Sequence, residues 1–282
     1  MVNRNLSLML VVPLIISASI LKEDKPRASC TVTSFDQLDA AIATCSDIVI
    51  SGVEVPAGQQ LDLNLNNDTR ISFDGHITFA YADWDGPLIH IKGHNVTVEG
   101  TEGHILDGQG ELWWDGLGGH GNNTKPKLLE DLWLRNIHLL NCPISCVGIS
   151  STDLTVDGWT IDCSEGNKAD GGKNTDGFGV KDGSNVVIKN SIVKNQDDCI
   201  VVNYGYNYYF SNISCWGSHG LSLSVGQSQA FELNTVSNIT FIDSYVADSE
   251  NGIHVKTHAD GGQGIIKDVT YENIELSGGQ EL

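Results

Sequence analysis

A short β-branched or aromatic run closed by Asn, Asp or Gly recurs from about residue 70 to the end of the chain, and this repeat constrains the fold most strongly. Eight segments share the template, at residues 71–75, 96–100, 132–136, 154–158, 186–190, 208–212, 239–243 and 269–273. Their closing residues lie 25, 36, 22, 32, 22, 31 and 30 positions apart, so the period has a minimum of 22 with insertions. Short strands at such a period, with no helical pattern between them, are typical of a parallel β-helix.

A β-sandwich or a propeller also contains many short strands, but hairpin signals are scarce here and the spacing is too long for a meander. We therefore predict an all-β chain, a right-handed parallel β-helix, with Asn and Gly aligned at its bends. Ser34 and Gln37 have capping-box spacing and open the one clear helix signal, at residues 38–43. This helix is expected to cover the open first coil, and a disulfide between the flanking Cys30 and Cys45 is expected to hold it.

The amino terminus predicts a secreted, extracellular protein. Residues 1–20 contain Arg4 and an apolar run from Leu6 to Ile20, which indicate a signal peptide. A signal anchor is the alternative, disfavoured because a spanning helix needs about 20 apolar residues. Residues 21–27 are interpreted as a pro-segment, and residues 28–282 as a single β-helix domain that lacks C-terminal coils.

Secretion permits disulfides, and an odd total of seven cysteines leaves one unpaired. Cys142, Cys146 and Cys163 are not assigned from the sequence, although Cys163 could pair with either of the other two. Glycosylation sequons begin at Asn67, Asn95, Asn122, Asn212 and Asn238.

The formal net charge of −20 argues against nucleic acid and against an anionic membrane as partners. A polyanionic substrate would need a local basic patch. We expect a monomer.

Three polar clusters follow one another at the spacing of a coil, at residues 174–177, 195–199 and 217–220. Asp176 and Asp197 lie 21 positions apart, and Asp197 and His219 lie 22 apart. In a parallel β-helix these groups, together with Asp198, would stack at about 4.8 Å per strand.

Glycoside hydrolysis needs one protonated carboxyl group and one ionised carboxylate, and crowding of like charges separates their pKa values. Three alternatives exist: acidic residues that only form bends, a Ser218–His219 nucleophilic pair, and a metal site. The pair is disfavoured because adjacent strand residues point to opposite faces, and no paired-ligand spacing supports a metal.

These motifs resemble those of the polygalacturonase family of glycoside hydrolases. The matching residues are Asn174-Thr175-Asp176, Gln196-Asp197-Asp198-Cys199, the run at 218–222, Asp107-Gly108-Gln109-Gly110, the run at 113–116 and Lys125-Pro126-Lys127. The likeness extends over nearly the whole mature chain.

The resemblance implies an inverting, metal-free hydrolase of α-1,4-linked galacturonan in pectin, with no cofactor, and we expect endo action. By this resemblance Asp197 is the general acid, and Asp176 and Asp198 hold the attacking water. His219 tunes the protonation of Asp197 through hydrogen bonds. Asn174 would orient the substrate. Cys199 and Cys215 match a family disulfide.

Two features depart from the family pattern. The family has Arg-x-Lys on the next coil, where this chain has His254 and Lys256. Imidazole lacks the bidentate fork of a guanidinium and ordinarily titrates near pH 6.5, so substrate binding is expected to weaken above that pH. A flat profile of affinity against pH would contradict this.

The second departure is the end of the chain at Leu282, about one coil after Lys256, where family members continue and supply a Tyr. Truncation, a short paralogue and lost catalysis are the alternative explanations, and we favour truncation. The functional alternatives are a non-catalytic galacturonan-binding relative, a rhamnogalacturonan hydrolase and a calcium-dependent pectate lyase. The lyase is disfavoured because its expected Arg base is not found in or near these coils.

Overall fold

The structure is a computed structural model, and it describes residues 28–130, 134–259 and 261–278. Within these ranges the chain forms one α-helix, α1 (Leu38–Thr44), and parallel strands. The strands of the first half are β1 (Ser29–Val32), β2 (Asp47–Ser51), β3 (Glu54–Val55), β4 (Leu61–Asn64), β5 (Arg70–Asp74), β6 (His76–Phe79), β7 (Ile89–Lys92), β8 (Thr97–Gly100), β9 (Ile105–Asp107), β10 (Leu129–Glu130), β11 (Leu134–Arg135) and β12 (His138–Leu140).

The second half contains longer strands that continue around a bend. They are β13 (Val147–Thr152), β14 (Thr155–Asp157), β15 (Thr160–Asp162), β16 (Phe178–Lys194), β17 (Ile200–Val202), β18 (Gly205–Trp216), β19 (Leu221–Val225), β20 (Thr235–Ala247), β21 (Ile253–Thr257) and β22 (Ile265–Ser277). Short 3-10 turns lie at Phe35–Gln37, Gly110–Leu112, Gly118–His120, Ser164–Gly166 and Phe231–Asn234.

The strand pairings form three faces of a coil, which confirms the predicted right-handed parallel β-helix. The first face runs β1–β2–β5–β8–β11–β14 and continues through β16, β18, β20 and β22. The second face runs β3–β6–β9–β12–β15 and then the ends of β16, β18, β20 and β22. The third face runs β4–β7–β10–β13–β16–β17–β19–β21 and carries the candidate site.

The core is a set of inward ladders in which each side chain packs on its partner one coil away. On the first face, Phe210 pairs with Phe241 and Phe241 with Tyr271, at ring-centroid distances of 4.8 and 4.7 Å. Phe210 and Phe241 are fully buried. Burial of a side chain of this size stabilises the fold by roughly 1.5–3 kcal/mol, so the ladder is a large contribution to the stability of these coils.

The bends between the first and second faces use the residues that close each repeat. Asn190, Asn212 and Asn273 have φ of 54°, 52° and 50°, the left-handed region that Asn tolerates better than most residues. Their amides also bond along the axis: Asn212 Nδ2 donates to Asn190 Oδ1 at 2.8 Å. The predicted alignment of Asn at the bends therefore has two causes, backbone conformation and a side-chain ladder.

The predicted helix is confirmed near the amino terminus. Gln37 Oε1 accepts the Ser34 N–H at 3.3 Å, as the capping-box spacing suggests, and α1 follows directly. The Cys30–Cys45 disulfide joins β1 to the end of α1, and Leu38 is buried against the first coils.

Two details of the predicted repeat are wrong. The repeat begins at β1 rather than near residue 70, because residues 48–52 also form a β-branched run closed by a Gly with positive φ. The first predicted step of 25 is a step of 27, since Arg70 pairs with Thr97 and Phe73 with Gly100. A shift of two residues keeps the same side chains inside, so the apolar pattern alone does not fix it.

Residues 1–27, predicted as signal peptide and pro-segment, lie outside the described residues, as do residues 132–133 of one predicted repeat. No helix within the described ranges is long and apolar enough to cross a membrane. The five sequon asparagines are exposed. Asn238 Nδ2 donates to Asn207 Oδ1 at 2.8 Å, so a glycan on this Asn, as on Asn212, would compete with an axial ladder bond.

Candidate active site

The candidate acid–base groups lie at the amino ends of third-face strands. Asp176 precedes β16, Asp197 and Asp198 precede β17, and His219 precedes β19. Backbone bonds hold these ends in register, since Gly177 N–H donates to Asp198 O at 2.9 Å and His219 N–H donates to Asp197 O at 2.7 Å. Parallel coiling thus brings together the three polar clusters of the sequence.

Asp197 lies at the centre of the cluster, with a side chain only 10% exposed. Its Oδ2 accepts Asn174 Nδ2 at 3.0 Å, and its Oδ1 accepts the Asp198 N–H at 2.7 Å. His219 Nδ1 lies 3.2 Å from the same Oδ1. Asn174 is itself held from the other side, because its Oδ1 accepts the Gly119 N–H at 3.1 Å.

Asp176 and Asp197 form a hydrogen-bonded carboxyl pair with opposite pKa shifts. Burial raises the pKa of Asp176 well above its usual value, and the charges of Asp197 and Asp198 raise it further. Burial also acts to raise the pKa of Asp197, but hydrogen bonds from His219 and Asp176 outweigh it and hold that pKa below its usual value. In the unliganded site the shared proton therefore lies on Asp176.

Asp198 is almost fully buried, and its oxygens bond to the next coils. Ser222 Oγ donates to Oδ1 at 2.5 Å, and Lys256 Nζ donates to Oδ2. His254 Nδ1 lies 3.9 Å from Oδ1 and has no hydrogen-bond partner among the residues that the structure describes. Lys256 and His254, predicted as substrate contacts, are thus both at the site and both face Asp198.

His219 bridges two acids, because its Nε2 lies 3.2 Å from Glu250 Oε2 while its Nδ1 faces Asp197. The hydrogen bond with Asp197, reinforced by the charges of Asp197 and Glu250, raises the pKa of His219 against the opposing effect of burial. Glu250 was missed from the sequence. A usable signal was its place in the loop just before β21, because the loop before β19, one coil earlier, carries His219.

The carboxylates line a cleft of about 300 Å³ that also contains Lys181 and Lys256. A chain with a net charge of −20 needs a local basic patch of this kind to bind a polyanion. Lys181 was missed, although its place five residues after Asp176 on an outward-facing strand position could have indicated it.

The other chemistries considered fit the geometry less well. Ser218 is buried, contacts Ser249 Oγ at 2.9 Å and accepts the Gly220 N–H at 3.0 Å, so its hydroxyl is directed away from His219. Asp197, Asp198 and His219 each offer one ligand atom within 4.8 Å of the others, a set that could hold a metal ion. The Lys256 ammonium already supplies a positive charge to Asp198.

Three disulfides occur in the part of the chain that the structure describes. Cys199–Cys215 anchors the residue next to Asp198, and Cys30–Cys45 anchors α1. The third is Cys142–Cys146, so of the three cysteines that the sequence left unassigned, Cys163 is the one that does not pair. The tight loop brings the Cα atoms of Cys142 and Cys146 to 5.3 Å, while the free Cys163 thiol is buried and accepts the Cys142 N–H at 3.2 Å.

Comparison with known proteins gives a consistent set of relatives. The family described as glycosyl hydrolases family 28 matches residues 45–280. A polygalacturonase of Phaedon cochleariae is 48% identical over 259 residues, which cover 89% of this chain and 71% of that protein. Endopolygalacturonase A of Aspergillus niger is 43% identical over 258 residues, which cover 89% of this chain and 69% of that protein.

Solved structures agree with this result. Endopolygalacturonase I from Stereum purpureum, solved in complex with two galacturonate molecules, has 36% identity and a TM-score of 0.74, over 88% of this chain and 74% of that one. The polygalacturonase from Erwinia carotovora has 19% identity and a TM-score of 0.69, over 93% of this chain and 80% of that one, and shows the shared fold.

Proposed function

This chain belongs to family 28 of the glycosyl hydrolases, and from that premise we propose that it is a secreted, endo-acting polygalacturonase. Its substrate would be the α-1,4-linked galacturonan of pectin, which it would hydrolyse with inversion. The observation that carries the proposal is the stack of Asp176, Asp197 and Asp198 in a cleft that also contains two lysines. His219 contacts the central acid of this stack, Asp197. The relatives named above, which are polygalacturonases and endopolygalacturonases, support it.

In the proposed reaction, Asp197 protonates the glycosidic oxygen of the scissile bond. The proton is the one that Asp176 holds at rest, and it passes through the hydrogen bond between the two carboxyl groups. The bond from C1 to the leaving oxygen breaks as a water oxygen attacks C1. Asp198 helps to position that water, and Asp176, now ionised, accepts its proton, so the Asp176–Asp197 pair ends with the one proton it began with.

His219 is proposed to tune this transfer without contacting C1. Its hydrogen bond to Asp197 Oδ1 stabilises the ionised form of Asp197 and so keeps the resting proton on Asp176. Asn174 holds the other oxygen of Asp197 and fixes the direction of the carboxyl group.

The inverting course rests on the family resemblance rather than on the carboxyl spacing. The oxygens that Asp197 and Asp198 present to His219 lie within 4.8 Å of each other, closer than the gap of about 6.5–9.5 Å found in most inverting pairs. The anomeric configuration of the first-formed product therefore decides between inversion and retention.

The proposal is tested by incubating the chain with de-esterified polygalacturonate between pH 4 and 8. We expect new reducing ends, no unsaturated ends that absorb in the ultraviolet, and a first-formed β-anomer by proton NMR. Unsaturated ends would indicate a lyase, an α-anomer would indicate retention, and binding without any product would indicate a non-catalytic galacturonan-binding protein.

A pH prediction follows from the His219–Glu250 contact. Because the pKa of His219 is raised, its contribution to stability is complete below about 6.5, the usual imidazole value, and is lost as pH rises through the raised pKa. Glu250→Gln removes one of the negative charges that raise it. We expect the pKa of His219, followed by NMR titration of its ring protons, and the alkaline limb of kcat/KM to move to lower pH.

Glu232→Gln, on an exposed turn, is the matched control and is expected to leave the limb in place. In Glu250→Gln the pKa of His219 could move while the alkaline limb of kcat/KM stays in place. That result would contradict a role of the His219 imidazole in the pH dependence of kcat/KM.

A further inference from the structure

Lys181 lies at one end of a row of outward-facing residues that crosses the cleft. Ser224 pairs with Lys256, and the register extends this row, because Val180 pairs with Val202 and Val202 with Leu223. Lys181, Asn203 and Ser224 follow these three residues, each one coil further along, and all line the cleft. At about 4.8 Å per strand the two lysines are roughly 14 Å apart along the axis. Asp176 shares the coil of Lys181, and Asp197 and Asp198 lie on the next one, so the cleft has a cation on either side of the acid–base groups.

The surface beside Lys181 is open because two paired residues have no side chain. Gly148 pairs with Gly179 on the third face. A methyl group placed on Gly179 would lie 4.0 Å from Lys181 Cε and 3.5 Å from the Val147 carbonyl oxygen, with nothing closer. Glu130 lies over the neighbouring Gly148, and a methyl group placed on Gly148 would lie 3.4 Å from Glu130 Cγ. The two glycines therefore leave room for a ligand group against the exposed Lys181 side chain.

The charges around Lys181 favour an anion. Lys127 forms an ion pair with Glu130 and lies close enough to Lys181 for its positive charge to act on the Lys181 ammonium. Partial desolvation and the positive charge of Lys127 lower the pKa of Lys181. The negative charges of Glu130 and Asp176 act on the pKa of Lys181 in the opposite direction but do not outweigh these two effects. Among the described residues no ion pair within 4 Å joins Lys181 to a carboxylate.

We propose that Lys181, with Lys127 beside it, is a subsite for the ionised carboxylate of a galacturonate unit bound on the β13 side of the scissile bond. This inference deepens the proposed function and rests on it for the identity of the polymer. A carboxylate beside two ammonium groups relieves their repulsion and forms charge-assisted hydrogen bonds, whereas a methyl-esterified unit gains neither. The cleft would then distinguish ionised from esterified units at this position.

The test is equilibrium binding measured by calorimetry in an Asp197→Asn background, which prevents turnover during the titration. The two probes are a de-esterified galacturonan oligomer and the same oligomer with its carboxyl groups methyl-esterified. Lys181→Gln is expected to raise the Kd of the ionised oligomer about tenfold and to leave the Kd of the esterified oligomer within twofold. Lys181→Arg is expected to retain most of the affinity.

Lys189→Gln is the matched control, since Lys189 lies on the same strand, pairs with Asp157 on the first face and changes the net charge equally. A similar loss in this control would attribute the effect to overall charge and overturn the subsite. Equal losses for both oligomers, or no loss for either, would also overturn it. Failure of the background protein to bind either oligomer would overturn the proposed function together with the subsite.

Discussion

Replacing Asp197 with Asn is expected to lower kcat on de-esterified polygalacturonate by about 10²–10⁴-fold, the usual contribution of general acid–base catalysis. Asn keeps the shape of the side chain and can still accept the Asn174 amide, but it cannot carry a proton from Asp176 to the glycosidic oxygen. The initial rate of reducing-end release at saturating substrate measures the effect. Circular dichroism of the variant checks that the coil is intact.

Asp157→Asn is the matched control, because Asp157 accepts a bond from Asn190 on the first face and lies away from the cleft. It should retain full activity.

Asp176→Asn adds a sharper comparison, since the resting proton lies on Asp176. Retained activity in Asp197→Asn together with lost activity in Asp176→Asn would transfer the role of proton donor to Asp176.

The largest expected effect on stability is that of Phe241→Ala, which should lower the free energy of unfolding by about 3–5 kcal/mol. Phe241 is fully buried and stacks between Phe210 and Tyr271, so its removal breaks the aromatic ladder at its middle and leaves a cavity that rigid strands cannot close. Urea unfolding followed by tryptophan fluorescence is the measurement.

Tyr209→Ala is the control for this prediction. Tyr209 precedes Phe210 on β18, points to the opposite side and is 44% exposed, so its loss should change the unfolding free energy by less than about 1 kcal/mol. Equal effects of the two substitutions would mean that the interior ladder does not dominate the stability of these coils.

Much of the fold could be predicted because each coil is specified locally. An inward Phe or Ile at every second position, and an Asn or Gly at each bend, are properties of short stretches such as residues 186–190 and 208–212. Their spacing of 22 is the paired register in the structure, where Lys189 lies beside Ser211. The step from β5 to β8 was misjudged because a slip of two residues leaves the apolar pattern unchanged.

The site was predicted to the extent that its members are separated by one coil. Asp176, Asp197, Asp198 and His219 could be grouped from spacings of 21 and 22 alone. Glu250 and Lys181 were missed, because Glu250 follows a long insertion and Lys181 lies among charged residues of a strand that continues around a bend. The pairing of Cys142, Cys146 and Cys163 stayed open for a similar reason, since only the loop geometry decides between three neighbouring thiols.

The sequence by itself determined the coil, its inward and outward positions and the chemical types of the groups that stack, since these depend on a periodicity that one strand already carries. Only the tertiary structure decided which carboxyl group holds the proton, which acid faces the second nitrogen of His219 and where the lysines lie. These properties depend on burial and on charges a few ångströms apart, and residues from several coils contribute to them at once. Hydrogen bonds and desolvation act through space, so no single repeat of the sequence contains them.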